Sequence, residues 1–232
     1  MVDISVLIPS YRQVDTICTE LALIDTLLRR IVSSYEIILI IDGDEDGTSE
    51  MVMKNISLPN LKIVCFSENR GKGVVLQHGM LQAKGDVVAF IDAGGDIDPN
   101  YLEFMLELMK FSDADIVVGS KQHPLSEVSY PLMRRIYSRL YQILNKVLFR
   151  LDIQDTQVGL KLLKRSVIES VVPQVSAQHF TFDVELLVLA SQQGFHIIDS
   201  PVHITHKFKS SINVFVALKM VWDTIRIFHR LR

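Results

Sequence analysis

Five short runs of aliphatic and β-branched residues recur through the first 120 positions: Ile4 to Ile8, Glu36 to Ile41, Leu61 to Cys65, Val87 to Ile91 and Asp115 to Val118. Runs of this length that are apolar on consecutive residues read as strands buried on both faces. Helical spacing fills the intervals: Leu21, Ile24, Leu28 and Ile31; then Val75, Gly79 and Ala83; then Tyr101 to Met109 after Pro99. Strand and helix in alternation give a doubly wound, mainly parallel α/β sheet flanked by helices. One domain over residues 1–206 is the simplest division of the 232 residues, with a C-terminal amphipathic helix in a tail over 207–232.

In open sheets of this class, ligands bind just beyond the carboxyl ends of the strands. Those positions are Pro9-Ser10-Tyr11-Arg12, Asp42-Gly43-Asp44, Asn69-Arg70-Gly71-Lys72-Gly73, Asp92-Ala93-Gly94-Gly95-Asp96 and Gly119-Ser120-Lys121. Five strand ends that gather carboxylates, glycines and cations suit a nucleotide site better than a structural edge. Residues of about 1–120 are therefore read as a nucleotide-binding half and 121–206 as an acceptor-binding half.

The formal net charge of -3 argues against a general nucleic-acid binder. Hydrophobic residues make up 48% of the chain, yet no run of about 18 apolar residues is present to span a bilayer, so contact with a membrane surface is expected and crossing is not. Met1-Val2-Asp3 leads straight into an apolar segment without the basic flank and cleavage site of a signal peptide. A cytoplasmic protein, peripheral on a membrane, is the expectation. Cys18 and Cys65 form no C-x-x-C pair and read as reduced packing residues.

A sugar-linked diphosphate carries closely spaced negative charges, and more charge develops when its bond to the sugar breaks. A hard divalent ion on carboxylate oxygens, Mg2+ or Mn2+, answers that charge. Asp92 closes its strand and Asp96 follows across two glycines that permit close approach of a ligand. Asp98, with Pro99 behind it, reads as a helix N-cap. Lys72 lies between two glycines, but neither a P-loop nor the three-glycine dinucleotide fingerprint is present.

At these residues the chain resembles family 2 of the GT-A glycosyltransferases, in the branch of dolichyl-phosphate mannose and glucose synthases. The matching stretches run in family order: Val6 to Tyr11, Glu36 to Gly43 with Asp46-Gly47-Thr48, Asn69 to Gly73, and Gly85-Asp86 to Asp92. Gly119-Ser120-Lys121, Arg134 with Ser138, Asp155 to Lys161, and Phe182 to Glu185 complete the series. The resemblance implies a GT-A fold and a nucleotide pocket at Pro9, Tyr11, Asp42, Lys72 and Asp92. It also implies a metal site whose first residue is Asp92. Gly94 replaces the second aspartate of the family's D-x-D, and Asp96 stands where a further metal contact occurs in related synthases, so Asp92 and Asp96 are expected to share the ion.

Similar synthases hold a lipid phosphate with an Arg and a Ser four residues apart on one helical face, which here are Arg134 and Ser138, and with a cation at the position of Lys121. Asp155 and Gln157 fall in the stretch that lies near the sugar. Asp183 is the candidate general base where the acceptor is a hydroxyl. The implied reaction is inverting, metal-dependent transfer of a hexose from a UDP- or GDP-linked donor to a polyprenyl or dolichyl phosphate, with Asp92, Asp183 and Arg134 as the candidate catalytic residues. Transfer to a saccharide hydroxyl and a non-catalytic nucleotide-sugar binder stay open, as does a homo-oligomer. In the tail, Phe215, Leu218, Val221, Trp222, Ile225 and Phe228 form one helical face opposite Lys219, Asp223, Arg226 and Arg230, a pattern suited to a membrane interface.

Overall fold

The computed structural model describes residues 2–129, 132–205 and 214–232, and of residues 132–135 and Val214 the backbone alone. The first half runs β1 (Val2–Ser10), α1 (Ile17–Ile31), β2 (Tyr35–Asp42), α2 (Thr48–Asn55), β3 (Leu61–Phe66), α3 (Lys72–Gln82), β4 (Gly85–Ile91), α4 (Tyr101–Ser112) and β5 (Ile116–Gly119). The second half runs β6 (Glu127–Ser129), α5 (Leu132–Phe149), β7 (Leu160–Lys164), α6 (Arg165–Ser170), α7 (Phe182–Gln192), β8 (Ile197–Ser200), β9 (His203–Thr205) and α8 (Val214–Leu231). Strands β3-β2-β1-β4-β7-β5-β8 form one seven-stranded sheet, and β6 and β9 form a small two-stranded one.

All five expected strands form within a residue or two of their anticipated ends. Successive side chains of a strand point to opposite faces, so Ala89 and Ile91 of β4 pack with α1 and α4 while Val88 and Phe90 pack with α3, α6 and α7. Burial on both faces fails for β3 alone among the five, whose residues are half-buried or exposed because it is the edge strand. In place of a β4–β5 contact, β7 lies between the two and runs antiparallel to both.

That reversal matters for position. The parallel strands end at one edge of the sheet, whereas β7 begins there, so the segment over 155–159 that precedes it reaches the same edge as Asp92. The peptide N–H of Asp92 donates to the Gly159 carbonyl at 2.8 Å, which ties the two segments together.

The tail helix α8 packs on the domain through Thr224, Ile227 and Arg230 and leaves part of its apolar face outward. Thr224 and Ile227 are buried, Tyr141 and Thr224 share a hydroxyl hydrogen bond of 2.7 Å, and Arg230 pairs with the buried Glu185. Phe215, Leu218 and Trp222 stay exposed. A buried carboxylate needs a cation, and that need draws Arg230 of the polar face inward.

Candidate active site

The centre of the site is a row of four charges. Lys72, at the first position of α3, places its Nζ 2.7 Å from Asp92 Oδ1 and 2.9 Å from Oδ2, donating its hydrogen bond to Oδ2. The same ammonium stands 3.6 Å from Asp183 Oδ2, and Asp183 Oδ1 accepts from Lys161 at 2.7 Å. Burial works against the Lys72 ammonium, yet Asp183 and Asp92 outweigh it and hold its pKa above the ordinary lysine value. Lys161 shifts the other way, pushed down by burial and by Lys72 in spite of Asp183.

The turn that carries Lys72 is built by glycines and by Asp42. Asp42 Oδ1 and Oδ2 accept the backbone N–H groups of Arg70 at 2.6 Å and Gly71 at 2.9 Å, so this expected nucleotide ligand shapes the turn from beneath. Gly71 has φ +95, and a Cβ there would lie 2.3 Å from His179 Nδ1. Around it, Pro9 is half-buried at the end of β1, and Tyr11 is exposed beneath the Arg12 guanidinium. Arg12 pairs with the exposed Glu45.

Gly94 explains the altered acidic motif. It sits at φ +119, where any L side chain is strained, and its N–H donates to Glu20 Oε1 at 2.9 Å. A Cβ would meet nothing nearer than Gln13 at 3.9 Å, so backbone strain decides the matter and not crowding. Restoring the second aspartate with Gly94→Asp is therefore expected to destabilise the fold by about 1–2 kcal/mol. A lower urea midpoint at unchanged slope would register it.

Among the described residues, no three carboxylate, imidazole or thiolate groups gather into a ready-made metal cage. The donors still suit a hard divalent ion. Asp92 presents a buried Oδ1 that faces the Lys72 ammonium at 2.7 Å, Asp96 lies half-buried four residues on, and such ions take remaining ligands from water and substrate phosphate. Asp98 is no part of this: its Oδ1 accepts the Asn100 N–H at 2.9 Å, capping the turn before α4 where a direct helix cap was expected.

The second cluster surrounds Asp155, which is wholly buried. Its Oδ2 lies 3.0 Å from Lys121 Nζ, and its Oδ1 accepts from Gln142 Nε2 and from the Gln157 N–H, both at 2.9 Å. Lys121, Asp155 and Gln157 are thus brought together, with Gln157 Nε2 left buried and unpartnered. Asp199, nearby, has its carboxyl pushed up to about 6, chiefly by burial and further by Asp155. Ser138 is half-buried on α5, and the Arg134 side chain lies outside the described residues, as do Lys207 and Lys209 of the tail.

Asp183 departs from the placement of a general base. It is 1% exposed and its oxygens face two lysines. Glu185 is buried elsewhere, accepting the N–H groups of Ser176 and Ala177. Sequence reasoning missed Gln142, Asn145 and Lys161. The signal for the first two is polar residues on the helical face opposite Ile136, Leu140, Ile143 and Val147; for Lys161, it is a single lysine within an apolar run.

The chain matches the family model described as glycosyl transferase family 2 over residues 5–172. A dolichyl-phosphate beta-glucosyltransferase of Dictyostelium discoideum is 30% identical over 204 residues, 84% of this chain and 62% of that protein. Glycosyltransferase AglD of Haloferax volcanii is 29% identical, over 87% of this chain and 33% of its own length. The chain thus spans about three fifths of the first relative and a third of the second. A solved structure of glucosyl-3-phosphoglycerate synthase from Mycobacterium tuberculosis, in complex with Mn2+, UDP and phosphoglyceric acid, superposes with a TM-score of 0.76 at 17% identity. The match covers 98% of this chain and 78% of that one.

Proposed function

The chain belongs to glycosyl transferase family 2, and from that premise we propose that it is an inverting hexosyltransferase. Its donor is a UDP- or GDP-linked sugar and its acceptor a polyprenyl or dolichyl phosphate at a membrane surface. The observation that carries this reading is where buried polar atoms lack partners. Ser10 Oγ and Gln157 Nε2 sit without hydrogen bonds at the edge where β1 and β4 end and β7 begins, beside Asp92, whose buried Oδ1 faces the Lys72 ammonium at 2.7 Å. Buried polar groups are nearly always satisfied, so orphans gathered at one edge mark atoms that await a ligand.

In this reading Asp92 and Asp96 would hold Mg2+ or Mn2+, which supplies positive charge to the departing diphosphate. Lys72 adds a fixed ammonium on the same side, already oriented by Asp92 and Asp183. Lys121, with Arg134 and Ser138 of α5, is proposed to hold the acceptor phosphate, while Gln157 faces the sugar. A phosphate oxygen is anionic before it attacks, so no base has to remove a proton. The engagement of Asp183 by two lysines favours this acceptor over a saccharide hydroxyl.

Two helices support the lipid side. Helix α5 buries Gln142 and Asn145 and exposes Ile136, Leu140, Ile143 and Val147, the reverse of a helix that packs its apolar face inward. The neighbouring α8 exposes Phe215, Leu218 and Trp222. No helix among the described residues is long and apolar enough to cross a membrane, so these faces suit the interface between headgroups and acyl chains.

The test offers UDP-glucose, GDP-mannose and related donors with a short polyprenyl phosphate and Mn2+ or Mg2+. The expected product is a glycolipid heavier than the acceptor by one hexosyl residue, with the nucleoside diphosphate released, seen by mass spectrometry. Donors that bind and are never consumed would turn the reading to a nucleotide-sugar binder. Hexose found only on a saccharide would move the acceptor.

A further inference from the structure

Lys161 has no part in the donor or acceptor contacts just described, yet its position is costly. It lies in β7, the inserted strand, paired across the sheet with Phe90 of β4 and Val118 of β5, and it is wholly buried. A leucine or methionine would fill such a place without bringing a charge out of water. Its ammonium donates to the Val158 carbonyl at 2.6 Å and to Asp183 Oδ1 at 2.7 Å, and it stands 5.1 Å from the centre of the Phe90 ring. The Lys72 ammonium approaches the same ring at 5.6 Å. Lys161, Asp183, Lys72 and Asp92 therefore alternate in charge from the core of the sheet out to its ligand edge.

We propose that Lys161 and Asp183 are positioning residues for the donor diphosphate: Lys161 shares the Asp183 carboxylate, and that sharing leaves Lys72 on Asp92 at the mouth of the site. The inference rests on the donor-site reading above and deepens it. The asymmetry of contacts is the evidence. Lys72 is 2.7 Å and 2.9 Å from the Asp92 oxygens but 3.6 Å from Asp183, although Asp183 is the more deeply buried carboxylate and would attract a lone cation more strongly. Lys161, at 2.7 Å, already satisfies Asp183. With Lys161 gone, Asp183 would keep a single cation and draw Lys72 inward to an ordinary ion-pair distance of about 2.8 Å, away from Asp92 and from the leaving group.

A merely structural pair and a positioning pair separate when the Lys161 charge is removed alone and then both charges are removed together. The full chain is made as Lys161→Met and, because replacing a buried ion pair with apolar groups of similar volume is often neutral or stabilising, as Lys161→Met/Asp183→Leu. A second version, Lys161→Gln/Asp183→Asn, keeps shape and hydrogen bonds without charge. The quantities read are the melting temperature, the affinity for UDP or GDP (whichever the wild type binds) beside that for the matching monophosphate, and kcat. The expected result is that Lys161→Met alone, which leaves the Asp183 charge to draw Lys72 inward, lowers diphosphate affinity about tenfold with the monophosphate affinity little changed and kcat about a hundredfold, whereas both double variants, with no Asp183 charge to capture Lys72, keep a melting temperature near the wild type and recover most of that loss. A folded Lys161→Met with wild-type diphosphate affinity and kcat, or double variants as impaired as that single one, would overturn the proposal and leave the pair as core filling. A wild-type protein that binds neither UDP nor GDP would instead remove the donor-site reading beneath it.

Discussion

Asp92→Asn is expected to lower kcat by about a thousandfold while the protein remains folded. The amide is nearly isosteric, so what disappears is charge. Two contributions are lost at one position: an oxygen anion able to hold a divalent ion, and the partner that keeps Lys72 at the ligand edge. Each preorganised electrostatic group at a reacting centre is worth about a hundredfold to a thousandfold. The two are coupled, so their losses will not simply multiply. Stability should fall by only about 1 kcal/mol, because the Asp92 side chain is 39% exposed and Lys72 keeps Asp183 as a partner. Single-turnover rates at saturating donor, with calorimetric titration of UDP in the presence and absence of Mn2+, read both contributions. An unchanged kcat would place Asp92 outside the chemistry altogether.

The sheet was legible because its information is local. Val6-Leu7-Ile8 and Ile37 to Ile41 are apolar at every residue, and only a strand covered on both sides uses such a run. What stayed hidden depends on contacts between distant segments. The exposed outer side of β3 follows from its place at the sheet edge, which nothing in Leu61 to Phe66 announces. The insertion of β7 between β4 and β5 is a choice of strand order, and Leu160 to Lys164 is compatible with several.

The site divides along the same line. Residues that follow a strand, such as Asp92 and Lys121, could be found by position alone. Asp42 could be found too, but not its orientation toward the amides of Arg70 and Gly71, which needs the turn to be folded first. The outward turn of Phe215, Leu218 and Trp222 on α8 agrees with its helical wheel, but the pairing of Arg230 of the polar face with the buried Glu185 joins segments too distant for the wheel to show. Lys161 looks in sequence like an ordinary strand lysine; only the pairing of β7 with Phe90 and Val118 shows that its charge is confined.

The other large effect is expected from one added methyl group at a residue with no side chain to lose. Gly159→Ala would place a Cβ 1.9 Å from Asp92 Oδ2 and 2.0 Å from its Cγ, far inside any permitted contact. The backbone cannot easily retreat, because the Gly159 carbonyl accepts the Asp92 N–H and β7 begins one residue later. The carboxylate must therefore leave the position in which Lys72 holds it at 2.7 Å and 2.9 Å. A loss of about a hundredfold or more in kcat follows, since a displacement near 1 Å at a reacting centre has that scale. Overpacking should cost about 1–3 kcal/mol of stability, visible as a lower melting temperature. The informative comparison is the double variant Gly159→Ala/Asp92→Asn. If the methyl acts by displacing Asp92, the double variant should be scarcely slower than Asp92→Asn alone. Fully multiplied losses would mean that residue 159 contributes to turnover by a route independent of that carboxylate.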